Sequence, residues 1–195
     1  MRIFLVVLVL IFSIQLFSKA DDIREFEIGE MSIGDSLLDF VSAEEIESKK
    51  KYYHYATKDY YQIGINDNLD VYELITIDLK SNDKKYIIEN ISGVIEFKEK
   101  NNQSKKKCEN IMKDISDSVL ESFDLINTKD EGKLSWDKTG KSTYKRNNFK
   151  FPNTDLYPIT VICQYWHGST PFSYVLKTTI SSTKFLNYLT TKAYN

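Results

Sequence analysis

The spacing of apolar residues changes from helical to alternating at about residue 52, and this change constrains the fold more than any other feature. Apolar and polar side chains then alternate through residues 53–65, 71–80 and 86–98. A period of two predicts β-strands. The connections 66–68 and 81–84 are short clusters of Asn, Asp, Ser and Lys, which favour tight turns. Because parallel strands need long crossovers, these short turns predict an antiparallel meander, with a bulge or bend at Ser92-Gly93.

The segments on either side of this meander predict helices and one more hairpin. Short helices are expected after Asp35 or Ser36 and again after Ser42, and residues 105–123 carry the i, i+3, i+4, i+7 stripe of an amphipathic helix. Residues 127–148 suit either a long loop or a solvent-exposed hairpin. Strands at 159–166 and 172–180 and a last helix capped near 181–183 complete the order. The predicted class is α+β: an antiparallel sheet, formed by the meander plus the C-terminal hairpin, with helices packed on one face.

The N-terminus has the anatomy of a cleaved secretory signal. Arg2 precedes an unbroken apolar run at residues 3–12, and Ser18 and Ala20 occupy the small-residue positions before a cleavage site. A retained transmembrane helix is the alternative, but the run is shorter than the roughly 20 apolar residues that span a bilayer. We therefore expect residues 1–20 to be a cleaved signal peptide and residues 21–195 to be a single domain, periplasmic or secreted. No stable membrane anchor is expected after cleavage, because no cysteine lies near Ala20 for lipidation.

The charge balance of the expected mature chain argues against a polyanionic partner. Removal of residues 1–20 leaves 24 Lys and Arg against 28 Asp and Glu, a net charge of −4. A net negative charge of this size favours solubility and does not favour binding to nucleic acid.

Two cysteines remain, and both fall on apolar faces. Cys108 lies in the first turn of the buried stripe of the 105–123 helix, and Cys163 alternates inward with Val161 and Tyr165. In an oxidising compartment we favour a Cys108–Cys163 disulfide over two separate buried thiols. Their Cα atoms should then lie within about 7 Å of each other.

No catalytic or metal-binding motif stands out. The two histidines, His54 and His167, have no His-x-x-x-His or Cys-x-x-Cys partner, so neither a metal nor a cofactor is expected. Residues 66–77 lack the glycine and the final glutamate of a calcium loop. The strongest enzymatic alternative is a secreted hydrolase centred on His167, with Cys163 or Ser169 as the nucleophile.

A tyrosine-rich segment is the main candidate for a binding surface. The alternation of a strand cannot turn all of these rings to one face, so some should be exposed and available to a protein, peptide or glycan. The alternative is aromatic pairing between strands on a half-buried sheet. The residues are Tyr52, Tyr53, His54, Tyr55, Tyr60 and Tyr61.

Residues 26–39 and 86–123 resemble segments of uncharacterised signal-peptide-bearing periplasmic proteins from AT-rich Gram-negative marine bacteria. The first segment is also faintly similar to the helix entry of small outer-membrane assembly factors. The resemblance implies the periplasm and supplies no catalytic residues. Our leading hypothesis is an exported, soluble, non-enzymatic protein that binds another envelope protein, peptide or ligand.

Overall fold

The computed structural model describes residues 23–51, 55–67 and 69–194, so the expected signal peptide lies outside the described residues. The strands are β1 (Tyr60–Ile65), β2 (Leu74–Lys80), β3 (Ile88–Phe97), β4 (Ile126–Lys133), β5 (Thr143–Lys150), β6 (Ile159–Tyr165) and β7 (Tyr174–Ser181). The α-helices are α1 (Ala43–Lys49), α2 (Asn102–Ser122) and α3 (Thr183–Thr191). Single 3-10 turns occupy Ile23–Glu25 and Leu37–Asp39.

All seven strands form one antiparallel sheet in the order β1-β2-β3-β7-β6-β5-β4. The predicted α+β class is confirmed, with the meander β1–β3 and the C-terminal hairpin β6–β7 in place. Of the two alternatives for residues 127–148, the hairpin is correct, since β4 and β5 pair along their whole lengths. The C-terminal hairpin joins the two halves of the sheet because β7 inserts between β3 and β6.

The irregularity in β3 is not at Ser92-Gly93, which corrects that expectation. Asp78 pairs with Asn90 whereas Leu79 pairs with Ile88, so Glu89 is the extra residue of the bulge. Gly93 has a different role. A Cβ atom at this position would lie 2.4 Å from the Tyr72 ring, so the ring packs directly on the β3 backbone.

The main core lies on one face of the sheet. Over β1–β3 it is covered by the N-terminal segment and α1, through buried residues such as Ile28, Leu37 and Ile46. Helix α2 contacts β6 and β7 on the same face. The helix starts predicted from sequence are confirmed: the hydroxyls of Ser36, Ser42 and Ser182 cap the turn at 37–39, α1 and α3.

A smaller aromatic cluster joins α3 to the start of β1. Tyr61 belongs to the main core, whereas its neighbour Tyr60 packs with Phe185 and Tyr188 of α3. Successive strand residues point to opposite faces, so α3 contacts the side of β1 that faces away from α2.

Candidate functional site: the α2–β4 groove

The sheet extends beyond the helix that covers it, and this leaves a groove. Helix α2 lies over β6 and β7, while the same face of β5 and β4 continues past it. The space between α2 and these two strands has a volume of about 540 Å³. We call it the α2–β4 groove.

The sequence of α2 fixes one wall of this groove. The helix begins where Asn101 accepts a hydrogen bond from the Ser104 backbone N–H (2.8 Å), which is a standard N-cap. Its buried stripe contains Cys108, Met112, Ser116 and Val119. The stripe turns one side of the helix to β6 and β7, so that the adjacent side faces the groove.

The Cys108–Cys163 disulfide locks α2 to β6. The two Cα atoms are 6.1 Å apart and both side chains are fully buried. The prediction of this bond is confirmed. Because the bond lies one helical turn from Met112, it holds the α2 wall at a fixed distance from the sheet.

One end of the groove is charged. Lys145 contacts Glu109 at 3.0 Å, and the Tyr165 hydroxyl donates to the same carboxylate at 3.1 Å. Burial opposes the charge on Glu109, but the bonds from Lys145 and Tyr165 outweigh it and lower the pKa of the carboxyl. Burial and the nearby Glu109 charge raise the pKa of the Tyr165 phenol, so the phenol stays a donor. The Lys105 ammonium lies 4.8 Å from the centre of the Tyr165 ring.

The other end is polar and has no net charge, because its charged lining residues Lys113 and Asp117 form an ion pair with each other. Asn147 of β5 is buried and donates to Ser116 Oγ at 2.7 Å, and Ser116 donates in turn to the Met112 carbonyl at 2.6 Å. Asn127 of β4 also lines the groove, and its buried Oδ1 has no hydrogen-bond partner. An unpaired buried acceptor is costly, so this oxygen favours a ligand that brings a donor.

The outer boundary of the groove is a sheet edge. Strand β4 pairs with β5 on one side only, and no other strand in the described ranges pairs with it. Its groove-facing residues after Asn127 are Lys129 and Glu131, opposite Asn147 and Lys145. Within the same ranges neither Lys129 nor Glu131 forms an ion pair, which leaves two opposite charges uncommitted.

The predicted tyrosine surface is only partly described, and two of its members are interior residues. Tyr52, Tyr53 and His54 lie outside the described residues. Tyr60 and Tyr61 are 5% and 2% exposed, which corrects their assignment to a binding surface.

Tyr60 and Tyr61 are buried because apolar residues cover both faces of the sheet at this point. Tyr60 packs against α3 and Tyr61 against the main core. Tyr55 is half-buried and makes edge contacts with Phe185 and Tyr188. Tyr55 precedes β1, and both Tyr55 and Tyr60 contact a helix and not a neighbouring strand, so these contacts differ from the strand-to-strand pairing that was the alternative.

The residues of the hydrolase alternative are not assembled into a triad in the described part of the chain. Nδ1 of His167 lies 2.9 Å from Ser169 Oγ inside one tight turn, and no described carboxylate hydrogen-bonds to the ring. Cys163 is in the disulfide. Among the described residues there is also no group of three or more His, Cys, Asp or Glu side chains placed to hold a metal ion.

Within the same residues, no helix has both the length and the apolar character to cross a membrane. Comparison of the chain with protein-family models, curated proteins and solved structures finds no match.

Sequence reasoning missed the groove residues Asn127, Asn147, Lys129 and Glu131. In β4 the polar residues fall on both faces, so no alternation marks the strand. One local signal was available. Asn147 and Phe149 are alternate residues of β5 and point to the same face, and a buried amide beside a fully buried ring indicates a polar site on that face.

Proposed function

We propose that this is an exported, non-enzymatic protein, periplasmic or secreted, that binds an extended segment of another envelope protein along β4. The observation that carries the proposal is an eight-residue sheet edge that borders an open groove. An extended peptide can add a strand to such an edge, with backbone hydrogen bonds supplying affinity and alternate side chains supplying specificity.

The charges of β4 support one kind of partner. Lys129 and Glu131 lie two residues apart and point to the same face. A partner strand with an acidic side chain near Lys129 and a basic one near Glu131 would complement both.

The neutral end of the groove supports a polar anchor. A partner amide or hydroxyl donor near Asn127 would satisfy the unpaired Oδ1 of that residue. The apolar side chains of Met112 and Leu120 border the same space. We therefore expect the bound segment to place a medium-sized side chain with a hydrogen-bond donor in this end.

The experiment selects peptides from a random displayed library against the purified protein and then measures their binding to charge variants. Exchange of the two charges, Lys129→Glu with Glu131→Lys, should weaken the selected peptides at least tenfold. The matched control is Lys84→Glu, in the exposed turn between β2 and β3, which should leave affinity unchanged. Peptide binding should also protect the backbone amides of β4 from hydrogen exchange. Selected peptides that leave β4 unprotected, or that ignore the charge exchange, would contradict the proposal.

Export is tested separately by mass spectrometry of the protein recovered from the producing cell. Cleavage after Ala20 predicts an N-terminus at Asp21. An intact Met1 in a membrane fraction would show that the first segment is retained as an anchor.

A further inference from the structure

A second cleft lies on the face of the sheet that points away from the α2–β4 groove. Its floor is a row of residues in direct register on three neighbouring strands: Thr128 of β4, Asn148 of β5 and Thr160 of β6. Asn147 faces the groove, so the next residue, Asn148, points to the opposite face. The cleft has a volume of about 460 Å³, within the range of ligand sites.

Two different elements wall this cleft. One wall is α3, which contributes Leu186, and the other is the β5–β6 connection, which contributes Leu156 and Tyr157. Tyr157 is 37% exposed, and the Lys150 ammonium lies 5.8 Å from the centre of its ring. An exposed aromatic ring and two leucines therefore border a floor of hydroxyl and amide groups.

The charged residues of the cleft already have partners. Arg146 forms a two-point contact with Asp130, at 2.9 and 2.6 Å, and Tyr144 and Asn148 donate to the same carboxylate. Asp155 pairs with Lys150 at 3.1 Å. Because these charges are compensated within the protein, the cleft does not favour an ionic ligand.

The floor keeps unused hydrogen-bonding capacity. Thr160 donates to Asn148 Oδ1 at 3.3 Å, and the Asn148 amide donates to Asp130 through one of its two N–H groups. The Thr128 hydroxyl makes no hydrogen bond to any described residue. The three side chains are spaced by the separation of neighbouring strands, about 4.8 Å, so they present donors and acceptors at regular intervals.

We propose that this cleft, formed by α3, the β5–β6 connection and the row Thr128–Asn148–Thr160, is a binding site for a neutral oligosaccharide. A pyranose ring has an apolar C–H face that suits Tyr157 and an edge of hydroxyls that suits the floor. The site lies on the opposite face from the α2–β4 groove and does not depend on the proposed peptide binding.

The test is a titration of the isotopically labelled protein, followed by two-dimensional NMR, with two neutral probes, cellotetraose and tetra-N-acetylchitotetraose. At least one probe should shift the amides of Asn148, Tyr157 and Thr160. Tyr157→Ala should weaken that binding at least tenfold, whereas Tyr157→Phe, which keeps the ring, should retain it within about threefold.

The control removes a different exposed aromatic side chain, Trp136, which is 62% exposed and lies outside the cleft. Trp136→Ala should leave binding unchanged. The proposal is overturned if neither probe shifts the cleft amides, or if Tyr157→Ala binds as tightly as the unaltered protein while its spectrum shows an intact fold. Tighter binding of an anionic probe, tetragalacturonate, would also overturn it, because the compensated charges favour a neutral sugar.

Discussion

Substitution of Gly93 by alanine tests how tightly the sheet packs against its aromatic cover. Gly93 lies in the middle of β3, between Ile75 of β2 and Thr178 of β7. An alanine Cβ would lie 2.4, 2.6 and 2.7 Å from three carbons of the Tyr72 ring, distances that real Cβ contacts essentially never show. The ring or the strand must therefore move by about 1 Å to restore van der Waals contact, in a close-packed interior.

The expected cost has two opposing parts. Overpacking a core by one methyl group typically costs about 1–3 kcal/mol. Replacement of glycine in a strand recovers roughly 0.5–1 kcal/mol of backbone entropy. Because the new Cβ would press on three carbons of the half-buried Tyr72 ring, we expect the clash to exceed the entropy gain and Gly93→Ala to lower the free energy of unfolding by about 1 kcal/mol. Urea denaturation of the oxidised protein measures this change.

A double-mutant cycle with Tyr72→Ala assigns the effect to the ring. In the Tyr72→Ala background the clash is gone, so Gly93→Ala should become neutral or stabilise by up to about 1 kcal/mol. Gly168→Ala is the control, since a Cβ there has no neighbour within 4 Å. Equal losses from Gly93→Ala with and without Tyr72 would refute the packing argument.

Two further predictions concern the disulfide and an acidic turn. Replacement of both Cys108 and Cys163 by alanine opens a loop of 55 residues. On the chain-entropy model this should lower the free energy of unfolding by roughly 4 kcal/mol, which urea denaturation measures. An unchanged midpoint would show that the bond adds no stability. The pKa of the Asp137 carboxyl is lowered by hydrogen bonds from Thr139 and Ser142. The stabilising effect of the ionised Asp137 carboxylate is therefore present above about pH 4 and is lost as the pH falls below the ordinary pKa of aspartate. Asp137→Ala should flatten the acid limb of the stability curve, measured by urea denaturation at a series of pH values.

The sequence predicted the strands that have one buried face and the helices that have a cap. In β6 the residues Ile159, Val161 and Cys163 are all buried and alternate with half-buried ones, which is the pattern that alternation predicts. The disulfide was predictable for the same reason, because the two inward faces that carry the cysteines had to meet across one apolar layer. Helix α2 was predicted within three residues of its observed start.

The groove was not predictable, because it depends on contacts between distant parts of the chain. Strand β4 has no buried face and is held by cross-strand polar contacts such as Asp130 with Arg146. Its sequence therefore lacks the alternation of apolar and polar residues that marks a strand with one buried face. The burial of Tyr60 depends on α3, a helix more than 120 residues away in the chain. The local sequence around Tyr60 does not indicate that this helix packs against it.

The position of β7 at the centre of the sheet also determines the order in which the chain can fold. Asn90 of β3 and Ser181 of β7 are 91 residues apart, so the pairing that joins the two halves of the sheet closes a long loop. Such non-local pairing slows folding. Until β7 is in place, β3 and β6 each expose an unpaired backbone edge beside apolar side chains such as Ile91 and Val161. A chain that stops short of residue 174 would leave both edges open to other chains, and self-association is the characteristic failure of such a fragment.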